Sequence, residues 1–310
     1  MTYDLAIVGA GPAGMTAALY AARKVLKTVV VSTDQGGQLL LTREVENWPG
    51  MINIGGYELS RSFTQHVEQY GVEQRIGRSV TAIHRTEMGF ELTIADDESI
   101  LAKAMIISSG GRSRRLNVPG EEKFTGRGVS YCATCDAPLF SGKKVAVIGG
   151  GNAAFEAVID LLPIAAEIHV VDVAEGWFAD PILHPQVLSA ERVHTYQQHR
   201  LLEIKGDNLV NSVIIEGQNG KRHELDVNGV FVEIGSIPNT DFLSGLIELN
   251  QGGEIVVDEG LSTSLPGIFA AGDVINRRDK QVVISAGQGA TAALSAYRWL
   301  IEEGRLGARG

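Results

Sequence analysis

Cys132 and Cys135 are the only cysteines in the chain, and they fall together in Tyr131-Cys132-Ala133-Thr134-Cys135-Asp136. At that spacing one sulfur can attack an outside disulfide while the other resolves the mixed intermediate, with local charge setting the thiolate character. Zinc is poorly served, because a site usually needs four ligands, no second Cys pair exists and the seven His are scattered. As a purely structural link, a two-residue gap would restrain the unfolded chain little, since stabilisation grows with loop length. Redox catalysis is the reading that remains, and no metal site is expected. Asp136, beside the pair, can shuttle the proton that exchange requires; its alternative role is that of a helix-start carboxylate.

Two glycine runs flank this dithiol: Gly9-Ala10-Gly11-Pro12-Ala13-Gly14 and Gly149-Gly150-Gly151. In the first, Gly9 permits a tight strand-to-helix turn, Gly11 lets a pyrophosphate approach the backbone and Gly14 lets the helix pack on the sheet. The helix N-terminus adds amide hydrogens and partial positive charge, so this run reads as an FAD-binding turn. One expected element is missing: the acid that would hold the adenosine ribose is replaced by Ser32-Thr33, with Asp34 slightly beyond. In the second run, Gly149, Gly151 and Ala154 are followed by Asp172 at the end of the next strand, where a carboxylate can accept from a ribose 2′-hydroxyl. That favours NADH over NADPH. A 2′-phosphate some 5 Å from Asp172 meets a repulsion of about 3 kcal/mol at an effective dielectric near 20. Residues 173–188 also contain no Lys or Arg to hold such a phosphate. The alternative is that this half keeps the fold and holds no nucleotide.

The elements that must position these residues alternate regularly. Leu5–Val8 (strand), Met15–Arg23 (helix) and Thr28–Ser32 (strand) make one βαβ unit; Lys144–Ile148, Ala153–Leu162 and Glu167–Val171 repeat it. Thr93–Ile107 and Val213–Val232 read as β-rich remainders, the second broken by the turn Gln218-Asn219-Gly220, and a final helix runs over Ala290–Ile301. With 310 residues, 44% apolar side chains and 37 glycines, about two domains of an α/β protein are expected. Gly110–Asn117 and Gly235–Asn239 are candidate linkers. The expected fold class is thus α/β, with two nucleotide-binding, Rossmann-like three-layer domains, the second inserted into the first. Residues 1–112 plus 240–310 form the FAD-binding domain, and 113–239 the inserted NAD(P)-binding-like domain carrying the Cys pair. The net charge of −10 argues against nucleic-acid binding. No apolar run approaches the ~18 residues needed to span a bilayer, and Tyr3–Val8 reads as a strand rather than a leader, so a cytoplasmic protein is expected.

Taken in order, the N-terminal glycine run, Gly36-Gly37-Gln38-Leu39, Glu46-Asn47-Trp48-Pro49-Gly50, Cys132-Ala133-Thr134-Cys135-Asp136, Gly149-Gly150-Gly151-Asn152-Ala153-Ala154 and Ala270-Ala271-Gly272-Asp273 resemble the low-molecular-weight thioredoxin reductases across nearly the whole chain. The resemblance implies a homodimer with one FAD per subunit. Its cofactor residues would be Gly9, Gly11, Pro12, Ala13, Gly14, Gly37, Gln38, Leu39, Asn47, Gly110, Gly272, Asp273, Lys280, Gln281 and Val282. It implies that Cys135 faces the flavin, that Cys132 attacks a thioredoxin-type disulfide, and that the two domains rotate between these tasks. Three departures matter. The His-Arg-Arg run of the NADPH enzymes is replaced in Val171–Phe178, Ser108-Ser109-Gly110 stands for Ala-Thr-Gly, and Lys280-Gln281 for Arg-Gln. The chain is therefore most similar to the branch lacking the NADPH motif, which includes ferredoxin-dependent and deep-rooted forms.

Electron donors rank as ferredoxin or another one-electron carrier, then NADH, then NADPH. Arg112, Arg114, Arg115, Lys123 and Arg127 are candidates for docking an acidic ferredoxin, or else a solvated hinge. Trp177 and Phe178 could cover an empty pocket, stack on a second planar cofactor, or simply pack. The tail, Glu302–Gly310, is either disordered or crosses a dimer. The expected function is passage of electrons from FAD through Cys132-Cys135 to a thioredoxin-like protein. The rivals are a dithiol oxidase delivering electrons to oxygen and a non-catalytic flavoprotein redox sensor.

Overall fold

The computed structural model describes residues 2–41, 45, 47–95, 98–243 and 245–306. The chain opens with β1 (Thr2–Val8), α1 (Pro12–Arg23), β2 (Thr28–Ser32), α2 (Gly56–Glu68) and β3 (Glu73–Ile76). It continues through β4 (Val80–Thr86), β5 (Gly89–Ile94), β6 (Glu98–Ile107) and β7 (Gly111–Ser113). Next come α3 (Glu121–Phe124), β8 (Val129–Ser130), α4 (Ala133–Asp136), β9 (Lys144–Ile148), α5 (Asn152–Leu161), β10 (Glu167–Val171), α6 (His184–Leu188) and β11 (Val193–Tyr196). β12 (His199–Gly206), β13 (Val210–Gly217), β14 (Arg222–Asp226), β15 (Gly229–Val232) and β16 (Ser236–Pro238) precede β17 (Ile268–Ala270) and α7 (Val282–Glu302). The chain divides into two compact units, residues 1–112 with 237–310, and residues 113–236. The crossing strands β7 and β16 pair as a two-stranded ribbon.

In the first unit the sheet runs β3-β2-β1-β6-β5-β4. The β3-β2-β1-β6 part is parallel, and its central strands β1 and β2 are near-continuous apolar runs, as burial on both faces requires, whereas the edge strand β3 is polar. β6 is long enough to serve twice: Ala102 pairs Phe90 of the antiparallel meander, while Met105–Ile107 pair β17. α7 lies against α1 so closely that a Cβ on Gly289 would fall 2.0 Å from the Ala13 carbonyl oxygen. That contact explains why α7 begins at Val282 and not at Ala290. Gly287 and Gly289 weaken a helical reading of the sequence, yet close backbone packing favours them here.

The second unit repeats the order as a five-stranded parallel sheet, β11-β10-β9-β15-β8. Its strands alternate faces with period two. Val145, Val147, Ile168 and Val170 pack on Phe155, Val158 and Leu161 of α5. Ala146, Ile148 and Val171 pack on Leu201, Ile204, Val213 and Ile215 of the antiparallel sheet β12-β13-β14. Helix, parallel sheet and antiparallel sheet make three layers, and both units are Rossmann-like. The Gln218-Asn219-Gly220 turn joins β13 to β14. Among the described residues, no helix is long and apolar enough to cross a membrane.

Candidate active site

The dithiol is delivered by the sheet of the second unit. β8 pairs β15 through Val230 with Val129 and Phe231 with Ser130, so the chain leaves the sheet beside the end of β15 and turns into α4 at Cys132. Cys132 and Cys135 are joined as a disulfide, with Cα atoms 5.3 Å apart. Asp136 closes the turn, its amide donating to the Cys132 carbonyl at 3.1 Å. Its carboxyl accepts the Ser130 hydroxyl at 2.6 Å. Burial raises the Asp136 pKa above the usual carboxylate value, and the Ser130 bond pulls in the opposite direction.

Two more carboxyls face α4. Asp160 of α5 accepts the Thr134 hydroxyl at 2.9 Å. Glu233, just past β15, accepts a bond from the Ala133 amide, and burial pushes its pKa up to about 7. On the other side of Cys132, Tyr131 donates to Glu121 at 2.8 Å and is pushed up to about 12, chiefly by burial. Glu121, only 2% exposed, is satisfied as well by the amides of Leu116 and Asn117 at 2.9 and 2.7 Å. None of Ser130, Glu233, Asp160 and Glu121 was singled out from the sequence. Ser130 had a local signal, two residues before Cys132, whereas Glu233 is brought in by the β8–β15 pairing alone.

The first glycine run forms the turn between β1 and α1. Gly9 has φ +105°, and a Cβ there would fall 2.2 Å from the Ser108 carbonyl oxygen. Gly149 repeats the device with φ +138° and a Cβ 2.3 Å from the Glu233 carbonyl oxygen. Gly11 and Gly37 face each other with room to spare: a Cβ on Gly11 would lie 3.9 Å from Gly36 O, and one on Gly37 3.7 Å from Gly11 Cα. α1 starts at Pro12 with no side-chain cap and no acid in its first turn. This backbone cradle beside a helix start is the arrangement that suits an anionic pyrophosphate.

The other residues expected to bind the cofactor gather around that cradle. Gln38 donates to Asp273 at 2.9 Å, and Asn47 donates to Gln281 at 3.1 Å. Leu39 is buried in a small cluster that Trp48 and Val282 flank. A Cβ on Gly272 would lie 3.0 Å from the Ala13 Cβ, and the Gly272 amide donates to Gln288 at 2.9 Å. Asp273 is buried enough to raise its pKa, against a 3.1 Å bond from Ser285. Gly110 has φ +66° and its carbonyl accepts the Asn239 amide at 2.9 Å. The Lys280 ammonium bonds Glu254 at 2.8 Å, the Asp273 carbonyl at 3.1 Å and the Ile275 carbonyl. Asp34 accepts the Gly37 amide at 2.6 Å and so orders the turn. Glu46 and residues 307–310 of the tail lie outside the described residues.

Around the second run, Asp172 accepts the Ala174 amide at 2.7 Å and Gly150 O accepts the amides of Phe178 and Ala179. Asn152 and Asp180 exchange two bonds at 3.0 and 2.6 Å. Ala154 is fully buried, a Cβ on Gly151 would meet open space, and Trp177 packs on Phe155 with ring centres 5.4 Å apart. Phe178 is 79% exposed. Three of the five basic residues have local partners: Arg112 bonds Asn239, Arg115 lies over Tyr131, and Lys123 lies over Phe124 and bonds the Gly206 carbonyl. Among the described residues, no group of three or more His, Cys, Asp or Glu is arranged to hold a metal ion.

Two Rossmann-like units with a Cys-x-x-Cys disulfide on the second define a class, and the match to known families agrees. The pyridine nucleotide-disulphide oxidoreductase family matches residues 3–289, and the chain belongs to that family. It is 41% identical over 300 residues to the NADH dehydrogenase of Bacillus subtilis (strain 168), covering 96% of this chain and 59% of the relative. It is 40% identical over the same shares to an alkyl hydroperoxide reductase subunit of Staphylococcus aureus (strain NCTC 8325 / PS 47). Among solved structures, the thioredoxin reductase from Streptococcus pyogenes MGAS5005 superposes with a TM-score of 0.90 at 36% identity, covering 97% of this chain and 99% of that one. The chain thus spans about three-fifths of the length of the curated relatives it matches.

Proposed function

We propose that the protein is an FAD-dependent disulfide oxidoreductase of thioredoxin-reductase type, passing two electrons through Cys132-Cys135 to a thioredoxin-type disulfide. The observation that carries this reading is the Cys132–Cys135 disulfide with the half-buried Asp136 carboxyl bonded to Ser130 in the same turn, in a chain whose other unit offers a glycine-lined cradle. Bound FAD would supply a carrier able to accept a pair of electrons and deliver them to a disulfide. Gly9, Gly11, Pro12, Ala13, Gly14 and Gly37 would hold its pyrophosphate, and Gln38, Leu39, Asn47, Gly110, Gly272, Asp273, Gln281 and Val282 the remainder. Lys280 would act through the loop it ties to Glu254. The first unit is then the FAD-binding domain and the second the NAD(P)-binding-like domain.

In the exchange, Cys132 is the attacking thiolate and Cys135 the resolving one, with Asp136 holding the proton that Cys135 gives up. The reading keeps the chain in the branch that lacks the NADPH motif, and NADH is the proposed donor. Asp172 disfavours a 2′-phosphate, residues 173–188 offer no cation to it, and a relative at 41% identity is named an NADH dehydrogenase. Reduced ferredoxin, the donor that the sequence ranks first, is the rival, since Arg115 and Lys123 have neutral partners and keep their positive charge. A homodimer working in the cytoplasm completes the reading, since a dithiol is kept available in a reducing compartment.

Anaerobic titration of the holoprotein with NADH, NADPH and reduced ferredoxin, followed by addition of oxidised thioredoxin, tests the proposal. NADH is expected to bleach the flavin at the lowest concentration, and thioredoxin to restore the colour. Bleaching with no transfer to any dithiol acceptor overturns the reductase reading and favours the sensor; rapid peroxide production with small dithiols in air favours the oxidase.

A further inference from the structure

Ser130 is the last residue of β8 and only 5% exposed. Its hydroxyl stands between the two ends of the redox-active turn. Oγ accepts the Cys132 amide at 3.1 Å and lies 2.6 Å from Asp136 Oδ2 and 3.3 Å from the Cys132 carbonyl oxygen. A hydroxyl has one proton to donate, and the shorter contact, to the carboxylate, takes it. The backbone of the segment and the Asp136 side chain are thereby tied to one atom. That atom is fixed in turn by the register of Ser130 against Phe231.

We propose that Ser130 is a positioning residue for thiol–disulfide exchange, holding the Asp136 carboxyl in place to receive the proton of Cys135. The proposal rests on the reading of Cys132-Cys135 as an exchange dithiol. In that reaction the Cys132 thiolate attacks an outside disulfide, forming a mixed disulfide and expelling one thiolate. Cys135 then passes its proton to the Asp136 carboxylate and attacks Cys132 Sγ, which restores the Cys132–Cys135 disulfide and expels the second thiolate. The dithiol loses two electrons, the outside disulfide gains them, and the proton leaves Asp136 for water.

The remaining acids near α4 are bound separately: Asp160 to Thr134, Glu233 to the Ala133 amide and, through Tyr131, Glu121. Ser130 is the side chain whose hydrogen bond opposes the effect of burial on Asp136. A bond to the charged form favours that form, so its removal raises the pH at which Asp136 becomes a base.

The test uses holoprotein reduced with dithiothreitol, gel-filtered anaerobically and mixed with 5,5′-dithiobis(2-nitrobenzoate) across a pH series. The first thionitrobenzoate released reports attack by Cys132, the second closure by Cys135. In Ser130→Ala the acid limb of the second phase is expected to move up by about one to two pH units, and Ser130→Thr to bring it back. Ser130→Gly makes the same deletion should the alanine variant fold poorly. An acid limb that stays at the wild-type position in a hydroxyl-free variant, whatever its melting temperature, overturns the proposal. An unchanged limb in Asp136→Asn overturns the proton role of Asp136, and a wild-type protein that releases no second equivalent overturns the exchange reading beneath it.

Discussion

Glu233 carries a carboxyl that should be half-protonated near neutral pH, and replacing it with Gln isolates that property. Its ordinary value of 4.5 is raised to about 7 by burial, and the glutamine oxygen can still accept the Ala133 amide. Because the folded state holds this proton more tightly than the unfolded chain, stability is greatest below the unfolded value and falls as pH rises towards the folded one. Between about pH 5 and about pH 8 the wild-type protein should lose about 2.5 kcal/mol from this one group. In Glu233→Gln that loss should vanish, so the variant gains on the wild type by the same amount over the same interval. Urea unfolding followed by tryptophan fluorescence at the two pH values measures the difference. Parallel pH dependence in the two proteins would refute the claim that Glu233 is buried and protonated beside α4.

Other substitutions probe the remaining parts. Cys132→Ser should abolish thioredoxin reduction while donor still bleaches the flavin; retained turnover in a steady-state assay defeats the assignment of Cys132 as attacking thiol. Gly9→Ala places a Cβ 2.2 Å from a backbone oxygen at positive φ, a strain on the order of 3 kcal/mol or more, and should purify with little bound FAD by its absorbance ratio. Asp172→Asn removes a repulsion of about 3 kcal/mol and should raise kcat/KM for NADPH relative to NADH by about tenfold to a hundredfold. An unaltered ratio means that this carboxylate does not face the ribose.

The repeated strand–glycine–helix frames were legible because each is local: a buried apolar run, glycines at fixed offsets and an Ala-rich helix within some thirty residues. The Cys pair was legible for the same reason. Contacts made by the topology were not. Glu233 is a hundred residues from Cys132 and arrives through the β9-β15-β8 order, and Glu121 is recruited by a turn of the backbone at Asn117, which has φ +56°. The same holds for Lys280, whose long side chain reaches back to Glu254. The first turns of α7 were hidden because glycines that lower helix propensity are what its packing against Ala13 demands.

The account stands on flavin and dithiol sharing one pool of electrons. Anaerobic titration of the FAD-loaded protein with dithionite, run beside Cys135→Ser, measures that pool directly. The wild type is expected to take up twice the reducing equivalents of the variant before its spectrum stops changing, and equal uptake by the two proteins would contradict the claim.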